Sequence, residues 1–397
     1  RDAAVYYGSL FNAQVVLGSA TPSIESYFNA TTGKYALVEL MQRYGDIRLP
    51  PIGIIDTKKV EQKDRSKVMI SPALKDAITE VIARDRQVIL FQNRRGYDPY
   101  QICNTCGWIP QCKYCDVSLT YHKLTNKLVC HYCGTNYPPL HTCAVCGNHH
   151  FIQRNFGTEK IEEQLQETFP DAKVARMDID TVRGKNAHDI LIQQFEQKRI
   201  DILVGTQMVV KGLDFDTVDL VGVLDADGLL HFADFRVNER AFQLMEQVSG
   251  RAGRKDAAGQ VLIQTTQPSH PILQYLQQHD YRRMFTEELE KRKQFFYPPF
   301  SRIIHLAFRH KIKDVVERAS REFAQALTAK YGNYIVGPAE PIVGRVRNQY
   351  IMEMLLKLPR DRTVIAQCKK DVLEQVAIMH QHRSYRSVVV VPDVDTL

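Results

Sequence analysis

The chain has 397 residues, of which 44% are hydrophobic and 24% charged, as in folded globular proteins. At about 100–200 residues per domain it has room for two to four domains, and it shows neither an apolar run of about 18 residues nor an opening signal segment. These values argue against the membrane, secreted and disordered classes. The excess of 52 Lys and Arg over 45 Asp and Glu gives a net charge of +7, which permits a polyanionic partner without requiring one.

Residues 1–67 contain an apolar run followed by a turn and, further on, a highly charged stretch. The run Val15–Leu17 predicts a strand, and Pro22, which follows the turn at Gly18 and Ser19, predicts the start of a helix. The segment 56–67 is dense in charged residues and is typical of a solvated linker.

Helix and strand patterns alternate through residues 68–102 and 152–296. The first helix is predicted from about Pro72 and the first buried strand at Val88–Phe91. Further helices are predicted within 157–170, 187–198 and 235–254, and further strands within 174–178, 201–212, 219–228 and 259–267. This alternation implies right-handed crossovers and a parallel sheet with its chemistry at the carboxyl ends of the strands. The pattern therefore predicts an α/β domain into which residues 103–151 are inserted.

The insertion holds eight of the nine cysteines, in four C-x-x-C pairs. The pairs are Cys103/Cys106, Cys112/Cys115, Cys130/Cys133 and Cys143/Cys146. A disulfide framework is not expected in a long chain without a secretion signal, whereas each pair can present two thiolates to a tetrahedral zinc ion. Two pairs complete a four-cysteine site that leaves no open position for catalysis. The pattern therefore predicts two structural Zn²⁺ ions.

The order of the pairs favours a nested arrangement. Fourteen residues separate Cys115 from Cys130, close to the spacing of about 15–20 in a zinc ribbon, and only five separate Cys106 from Cys112. We expect one site from Cys103, Cys106, Cys143 and Cys146, and a second from Cys112, Cys115, Cys130 and Cys133. An iron–sulfur cluster remains an alternative, and four repeated pairs disfavour a redox dithiol.

Residues 297–397 follow a Pro-Pro turn and change pattern. Strands are predicted at 303–308, 334–336, 352–357 and 387–391, and helices at 315–329 and 369–380. The order strand, helix, strand, strand, helix, strand is typical of a ferredoxin-like α+β domain. Arg345, Arg347 and Lys357 lie with Tyr350 on strand-like sequence, which suits contacts to single-stranded DNA or to a protein, and a solvated strand face is the alternative.

Three segments carry residues suited to phosphate chemistry. They are GSATPS at 18–23, ILVGTQMVVKGLDF at 202–215 and QVSGRAGR at 247–254. Arg251 and Arg254 are expected on one helical face, where two guanidinium groups can hold phosphate oxygens. Arginine and glycine are also common helix caps, so only the order and spacing of the three segments together are specific.

In this order the segments resemble motifs III, V and VI of the superfamily 2 helicases. With the eight-cysteine insertion, the chain resembles the PriA family of replication-restart helicases over essentially its whole length. Supporting runs are RRGY at 94–97, GTEKIEE at 157–163, LDADG at 224–228 and YPPFSR at 297–302. The resemblance implies a RecA-like second helicase lobe for 68–102 and 152–296, the end of the first lobe for 1–67, and a C-terminal domain for 297–397.

The resemblance also implies roles for single residues. ATP and Mg²⁺ would lie between two lobes, with Arg251 and Arg254 at the terminal phosphates and Gln247 positioning them. The motif III residues that would link hydrolysis to strand movement are Ser19, Thr21 and Ser23. The motif V residues that would couple the nucleotide to the DNA backbone are Gly205, Thr206, Gln207, Lys211 and Asp214.

Two motifs of such an ATPase do not occur in the sequence. It contains neither a GxxxxGK[ST] phosphate loop nor a DExH box. Asp225 and Asp227 follow a strand, but their place in the chain is that of the second lobe, and polar strand-end residues explain them best. We therefore expect the C-terminal part of a longer 3′ to 5′ DNA helicase that recognises stalled forks and directs primosome assembly, with this part inactive alone.

The implied partners are branched and single-stranded DNA, single-stranded-DNA-binding protein and other primosome proteins, with no membrane. The implied location is the bacterial cytoplasm, at the nucleoid. A zinc-dependent nucleic-acid-binding or scaffold protein without ATPase activity is the alternative from another class. A zinc-ribbon redox protein is disfavoured because no C-x-x-C pair lies at the strand-to-helix junction of a thioredoxin-like unit.

Overall fold

The computed structural model describes residues 1–40, 49–59, 69–93, 100–103, 105–122, 126–154, 158–178, 181–182, 186–209, 215–231, 234–253 and 259–395. Its helices are α1 (Asp2–Leu10), α2 (Ile24–Thr31), α3 (Pro72–Ala83), α4 (Thr158–Thr168), α5 (Ala187–Glu196), α6 (Asp227–Leu230), α7 (Val237–Ser249), α8 (Pro271–Gln277), α9 (Tyr281–Gln294), α10 (Lys313–Tyr331) and α11 (Arg362–Gln381). Its strands are β1 (Ile52–Asp56), β2 (Gln87–Phe91), β3 (Tyr100–Cys103), β4 (Thr120–His122), β5 (Lys127–Val129), β6 (Asn136–Tyr137), β7 (Phe151–Arg154), β8 (Val174–Met177), β9 (Ile202–Gly205), β10 (Val218–Val223), β11 (Gln260–Thr265), β12 (Ser301–His310), β13 (Ile335–Ala339), β14 (Arg345–Val346), β15 (Gln349–Pro359) and β16 (Val389–Val394).

Six strands form a sheet in the order β1-β11-β10-β2-β9-β8. The pairs β1–β11, β10–β11 and β8–β9 are parallel. Every residue of β2, β9 and β10 is buried, which explains why these strands are near-continuous apolar runs rather than alternating ones. The parallel sheet with helices between its strands confirms the predicted α/β class.

The strand β1 lies ahead of residue 68, the predicted start of the second lobe. Ile52 pairs with Val261 and Asp56 with Thr265, so β1 extends the sheet that the sequence pattern assigned to the second lobe. Residues 52–56 therefore belong to this sheet, although the sequence pattern assigned them to the segment 1–67. A five-residue apolar run carries no mark of the strand it will pair with, because its partner lies more than 200 residues away.

The strand predicted at Val15–Leu17 is not formed. The segment is irregular, and the Val16 side chain is 93% exposed. A strand needs a neighbour for its backbone hydrogen bonds, and within the described residues none pairs with this segment.

The chain divides into two compact units, residues 1–89 with 212–290 and residues 90–211 with 291–397. In the first unit, α7 packs against β10 and α8, and α3 packs against β10. In the second unit, α4 packs against β8 and β9.

The cysteine-rich module lies in the second unit as an antiparallel sheet of order β6-β5-β4-β3-β7. The first strand β3 pairs along its whole length with the last strand β7, from Tyr100 opposite Arg154 to Cys103 opposite Phe151. Entry and exit are therefore adjacent, which is how a module is inserted in a domain without disturbing it.

The C-terminal domain has the predicted order of elements. Its antiparallel sheet runs β13-β15-β12-β16, with the short β14 paired to β15. The helices α10 and α11 cover one face, where Phe308, Phe323 and Met354 belong to a single apolar core. This is the strand order of a ferredoxin-like fold.

Candidate metal centres and phosphate-binding segments

Three of the four C-x-x-C pairs form the same tight turn. In the turn at Cys103, the Gly107 N–H donates to the Cys103 carbonyl at 3.0 Å, and the Cys103 N–H donates to the Trp108 carbonyl at 2.8 Å. The turns at Cys130 and Cys143 repeat both bonds. The glycines of the three turns, Gly107, Gly134 and Gly147, have φ angles of 73°, 77° and 72°. The sequence C-x-x-C-G thus supplies the residue that tolerates this left-handed backbone.

The two outer pairs meet in one cluster. The sulfur of Cys103 lies 3.5 Å from that of Cys146, and the sulfur of Cys106 lies 3.6 Å from that of Cys143. All four sulfurs lie within 4.8 Å of one another. Zinc–sulfur bonds of about 2.3 Å in a tetrahedron place sulfurs about 3.8 Å apart. The cluster therefore has the dimensions of a four-thiolate zinc site.

The two inner pairs form the second cluster. Cys112 Sγ lies 3.6 Å from Cys133 Sγ, and the four sulfurs of Cys112, Cys115, Cys130 and Cys133 again lie within 4.8 Å. This inner site is more buried than the outer one: Leu119 and Leu128 pack beside its cysteines, whereas Cys106 and Cys146 of the outer site are exposed. The sulfurs are grouped in the nested order that the spacing favoured.

Hydrogen bonds and burial act in opposite directions on these thiols. The N–H groups of Cys106 and Thr105 lower the pKa of Cys103 to about 6, because they stabilise its thiolate. Burial raises the pKa of Cys130 to about 12. Since zinc takes thiolates, filling either cluster releases protons, and metal affinity rises with pH.

The motif III segment is fixed by its own side chains. Ser23 is the N-cap of α2, and its hydroxyl accepts the Ser26 N–H at 3.2 Å. The Ser19 hydroxyl accepts the Thr21 N–H at 3.1 Å. Both serines therefore shape the turn before α2, a structural role that is separate from the predicted coupling role.

The helix α7 holds this segment with residues that sequence reasoning missed. The side-chain amide of Gln243 donates to the Thr21 and Pro22 carbonyls, each at 3.2 Å. Glu239, which is 2% exposed, accepts the buried Ile24 N–H at 3.0 Å. A polar pair four residues apart on the inner face of an amphipathic helix was the available signal. The structure thus brings motif III against the helix that carries motif VI.

The motif V residues follow β9. A Cβ at Gly205 would lie 2.2 Å from Val209 Cγ1 and 2.8 Å from the Met177 carbonyl oxygen, so only glycine fits. The buried Thr206 directs its N–H to the same carbonyl at 3.4 Å, and Gln207 begins a short 3₁₀ turn. The other two predicted residues of this loop, Lys211 and Asp214, lie outside the described residues.

The placement of motif VI differs from the prediction. The helix α7 ends at Ser249, and Arg251 lies in the turn that follows, its N–H donating to the Val248 carbonyl at 3.0 Å. Gly250 is the C-cap of the helix, and Gly253, with a φ of 64°, lies four residues beyond its last residue. Arg251 therefore lies beyond the end of the helix and not on the helical face predicted for it, and Arg254 lies outside the described residues. Gln247 is exposed on the last turn of α7.

The acidic pair after β10 serves the fold. The Asp227 carboxylate accepts the Thr265 hydroxyl at 2.5 Å and the Thr266 N–H at 2.8 Å, which fastens the ends of β10 and β11 together. Asp225 accepts the Gly228 N–H at 3.1 Å, and burial raises its pKa. These contacts support the interpretation as polar strand-end residues.

Two cations of the C-terminal domain are engaged within the protein. Arg345 Nε donates to Asp116 at 2.9 Å, and Lys357 Nζ donates to the Phe295 carbonyl at 3.0 Å while lying 3.6 Å from the centre of the Tyr297 ring. Fewer cations of the predicted basic strand face are therefore available to an outside partner, because Arg345 and Lys357 bond groups of this chain.

Three family models match consecutive parts of the chain. The PriA DNA helicase Cys-rich region domain matches residues 112–138, the Helicase conserved C-terminal domain matches 149–256, and the Primosomal protein N C-terminal domain matches 293–397. Among solved structures, the yeast Dbp5 bound to RNA and ADP BeF3 is 14% identical over 72% of this chain and 54% of its own, with a TM-score of 0.31. That likeness is too low to carry an argument.

Curated relatives match the chain over most of its length. Replication restart protein PriA of Bacillus subtilis is 39% identical over 93% of this chain and 46% of its own length. The PriA proteins of Synechocystis and Treponema pallidum are 38% and 36% identical, over 90% and 100% of this chain and 44% and 58% of their own lengths. The chain thus spans about half the length of these relatives. In the described part of the chain, no helix combines the length and apolar character needed to cross a membrane. The models and the relatives agree that this chain belongs to the PriA family of replication restart proteins.

Proposed function

We propose that the chain is the C-terminal part of an ATP-dependent, 3′ to 5′ DNA helicase that recognises stalled forks and directs primosome assembly. The observation that carries the proposal is the succession along one chain of the cysteine-rich region, the helicase domain and the C-terminal domain of this family. The replication-restart names of the relatives support it. The partners are branched and single-stranded DNA, single-stranded-DNA-binding protein and primosome proteins, in the bacterial cytoplasm at the nucleoid.

In this function, Arg251 and Arg254 contact the terminal phosphates of ATP, and Gln247 positions them. ATP supplies the energy for movement when it is bound with Mg²⁺. The geometry of α7 suggests how a change at motif VI reaches motif III: Gln243 and Glu239 of the same helix hold the backbone of residues 21–24. A shift of α7 would therefore move the motif III segment with it. Gly205, Thr206, Gln207, Lys211 and Asp214 contact the DNA backbone, where N–H and hydroxyl groups fix position without reading sequence.

The two cysteine clusters hold structural zinc in this proposal. Their eight sulfurs fit two tetrahedral sites in distance and number. Zinc supplies folding free energy to the module, and no chemical step passes through it.

Replacement of Arg251 tests the helicase proposal. In the longer protein that carries the phosphate loop, Arg251→Ala should reduce DNA-stimulated ATP hydrolysis by about 10³-fold or more, since arginine fingers contribute about 10³–10⁵-fold. DNA binding should be retained. Arg283→Ala is the matched control, because Arg283 is an exposed arginine of the same unit that pairs with Glu287. Wild-type ATP turnover in Arg251→Ala would contradict the role.

The 397-residue chain alone should neither hydrolyse ATP nor unwind DNA. Its sequence lacks the GxxxxGK[ST] loop that cradles phosphates, which favours, for this part by itself, a zinc-dependent nucleic-acid-binding or scaffold role. Phosphate release measured with and without single-stranded DNA distinguishes the two cases. DNA-stimulated ATP hydrolysis by this chain would contradict the expectation that this part is inactive alone.

A further inference from the structure

The fourth C-x-x-C turn, at Cys112, differs from the other three. Its fifth residue is Asp116, whereas Gly107, Gly134 and Gly147 hold the equivalent positions. Those glycines donate their N–H to the carbonyl of the first cysteine, but the Asp116 N–H donates to the Arg345 carbonyl at 2.9 Å. Of the two backbone bonds that close the other turns, the fourth turn shows among the described hydrogen bonds only the one from the Cys112 N–H to the Val117 carbonyl, at 2.9 Å. It is therefore only partly closed by its own backbone.

The sulfur of its second cysteine also accepts its hydrogen bond from a different kind of donor. In the other three turns, the second cysteine accepts an N–H from the residue two positions on, namely Trp108, Thr135 or Asn148. Cys115 Sγ instead accepts the N–H of Arg347, at 3.2 Å and 232 residues away in sequence. The donor that three turns supply for themselves comes to the fourth from the C-terminal domain.

The donor sits on a tight hairpin turn between β14 and β15. Arg347 and Asn348 have φ angles of 52° and 59°, and Val346 pairs with Gln349 across them. Two successive left-handed residues are the mark of a two-residue type I′ turn, whose shape is fixed. The Arg347 N–H is therefore held in place by the hairpin and does not depend on a flexible side chain.

Further contacts surround this bond. The Asn348 N–H donates to the Tyr114 carbonyl at 2.8 Å, inside the fourth C-x-x-C turn. Arg345 Nε bonds Asp116 at 2.9 Å, and the Val346 side chain packs against the apolar group around the inner sulfurs. The outer site shows no such bond to the C-terminal domain among the described hydrogen bonds. Among the described hydrogen bonds, those from the C-terminal domain to the cysteine sites therefore reach the inner site alone.

We propose that the Arg347–Asn348 turn of the C-terminal domain completes the inner zinc site, so that zinc retention there and docking of the cysteine-rich module on that domain depend on each other. The inference rests on the proposed zinc binding. An N–H aimed at a metal-bound thiolate stabilises its charge, and loss of such an outer partner typically weakens metal affinity by about 10–100-fold. The outer site has its own donors and stays independent of the turn.

The first test measures zinc release from the 397-residue chain to a chromophoric chelator. The wild-type zinc content, two per chain, tests the zinc proposal separately. Arg347→Pro removes the N–H and cannot adopt the φ of 52°, so one of the two zinc ions should leave about 10–100-fold faster. Arg347→Gly keeps the N–H and suits the φ, so it should release both ions at wild-type rates. Two zinc ions with unchanged release in Arg347→Pro, or equal acceleration of both, would overturn the coupling.

The second test leaves the hairpin sequence intact and measures amide hydrogen exchange at Arg347 and Asn348. Cys133→Ser damages the inner site at a sulfur the turn does not bond, and exchange of both amides should rise at least tenfold. Cys106→Ser, the matched control, damages the outer site and should leave their protection unchanged. Equal protection in the two variants would refute the proposal, whatever the folding of Arg347→Pro.

Discussion

At the scale of single residues, backbone conformation decides which side chains the sites accept. The glycines of the C-x-x-C-G turns have a left-handed backbone that other residues rarely adopt, whereas Gly205 has no room for a Cβ. Substitution is therefore unfavourable for a different reason in each case. The C-x-x-C-G sequence shows the first need directly. The second is invisible in sequence, since it depends on Val209 and Met177 of the folded chain.

We predict that Gly134→Ala weakens zinc binding at the inner site through strain alone. No heavy atom lies within 4 Å of an added Cβ, but the φ of 77° costs an L-residue about 1–2 kcal/mol. Competition with a zinc chelator should show one site weakened by about 5–30-fold, since 1.4 kcal/mol corresponds to a factor of about ten. Gly33→Ala, with a φ of 78° and equally open space outside the module, should leave both sites unchanged. Equal zinc affinity in the two variants would contradict this account.

We predict that Gly205→Ala destabilises the fold by overpacking. The new methyl would meet Val209 at 2.2 Å and the Met177 carbonyl at 2.8 Å, and such insertions typically cost about 1–3 kcal/mol. Gly18→Ala is the control, since nothing lies within 4 Å of its added Cβ. Thermal unfolding should show a lower midpoint for Gly205→Ala only. Adding Val209→Ala should recover little, because the backbone carbonyl cannot move away.

At the scale of elements, the sequence predicted what local patterns encode. The buried strands β2, β9 and β10 and the βαββαβ order of the C-terminal domain followed from apolar runs and helical periodicity. The pairing of β1 with β11 did not, because register between distant strands is a tertiary property. The helix predicted within 235–254 extends past the end of α7 at Ser249, where the C-cap is Gly250, a residue type that disfavours helix continuation.

The contact between α7 and motif III gives a prediction at this scale. Gln243→Ala should free residues 18–23, because the Thr21 and Pro22 carbonyls lose their amide donor. Limited proteolysis should show faster cleavage there, and thermal stability should fall by about 1 kcal/mol, as is typical of a net hydrogen bond. The exposed Gln247 offers the control Gln247→Ala, which should leave cleavage unchanged. Identical digestion of both variants would show that α7 does not hold the segment.

At the scale of the whole molecule, residues that lie far apart in sequence are in contact. The sequence predicts Arg345 and Arg347 on a surface for nucleic acid or protein, whereas the Arg345 side chain bonds Asp116 and the Arg347 backbone N–H bonds Cys115, both in the cysteine-rich module more than 200 residues earlier. The metal ligands were predictable because their spacing is local, whereas the closure of the fourth turn was not. The net charge of +7 is therefore a poor guide to which cations remain for DNA.

Removal of zinc should unfold the cysteine-rich module and leave the C-terminal domain folded. The strands of the module are two to four residues long, and its apolar group rests on Leu119 and Leu128 with the cysteines themselves, too little to fold without metal. Zinc in comparable small modules contributes about 10–16 kcal/mol. The C-terminal domain has its own core around Phe308, Phe323 and Met354. With chelator and reductant, amide exchange should therefore rise throughout 100–154 while β12 stays protected.

Elemental analysis should give two zinc ions per chain before chelation. One zinc, or iron in its place, would contradict the assignment of the eight cysteines, and loss of β12 protection would show that the domain depends on the metal as well.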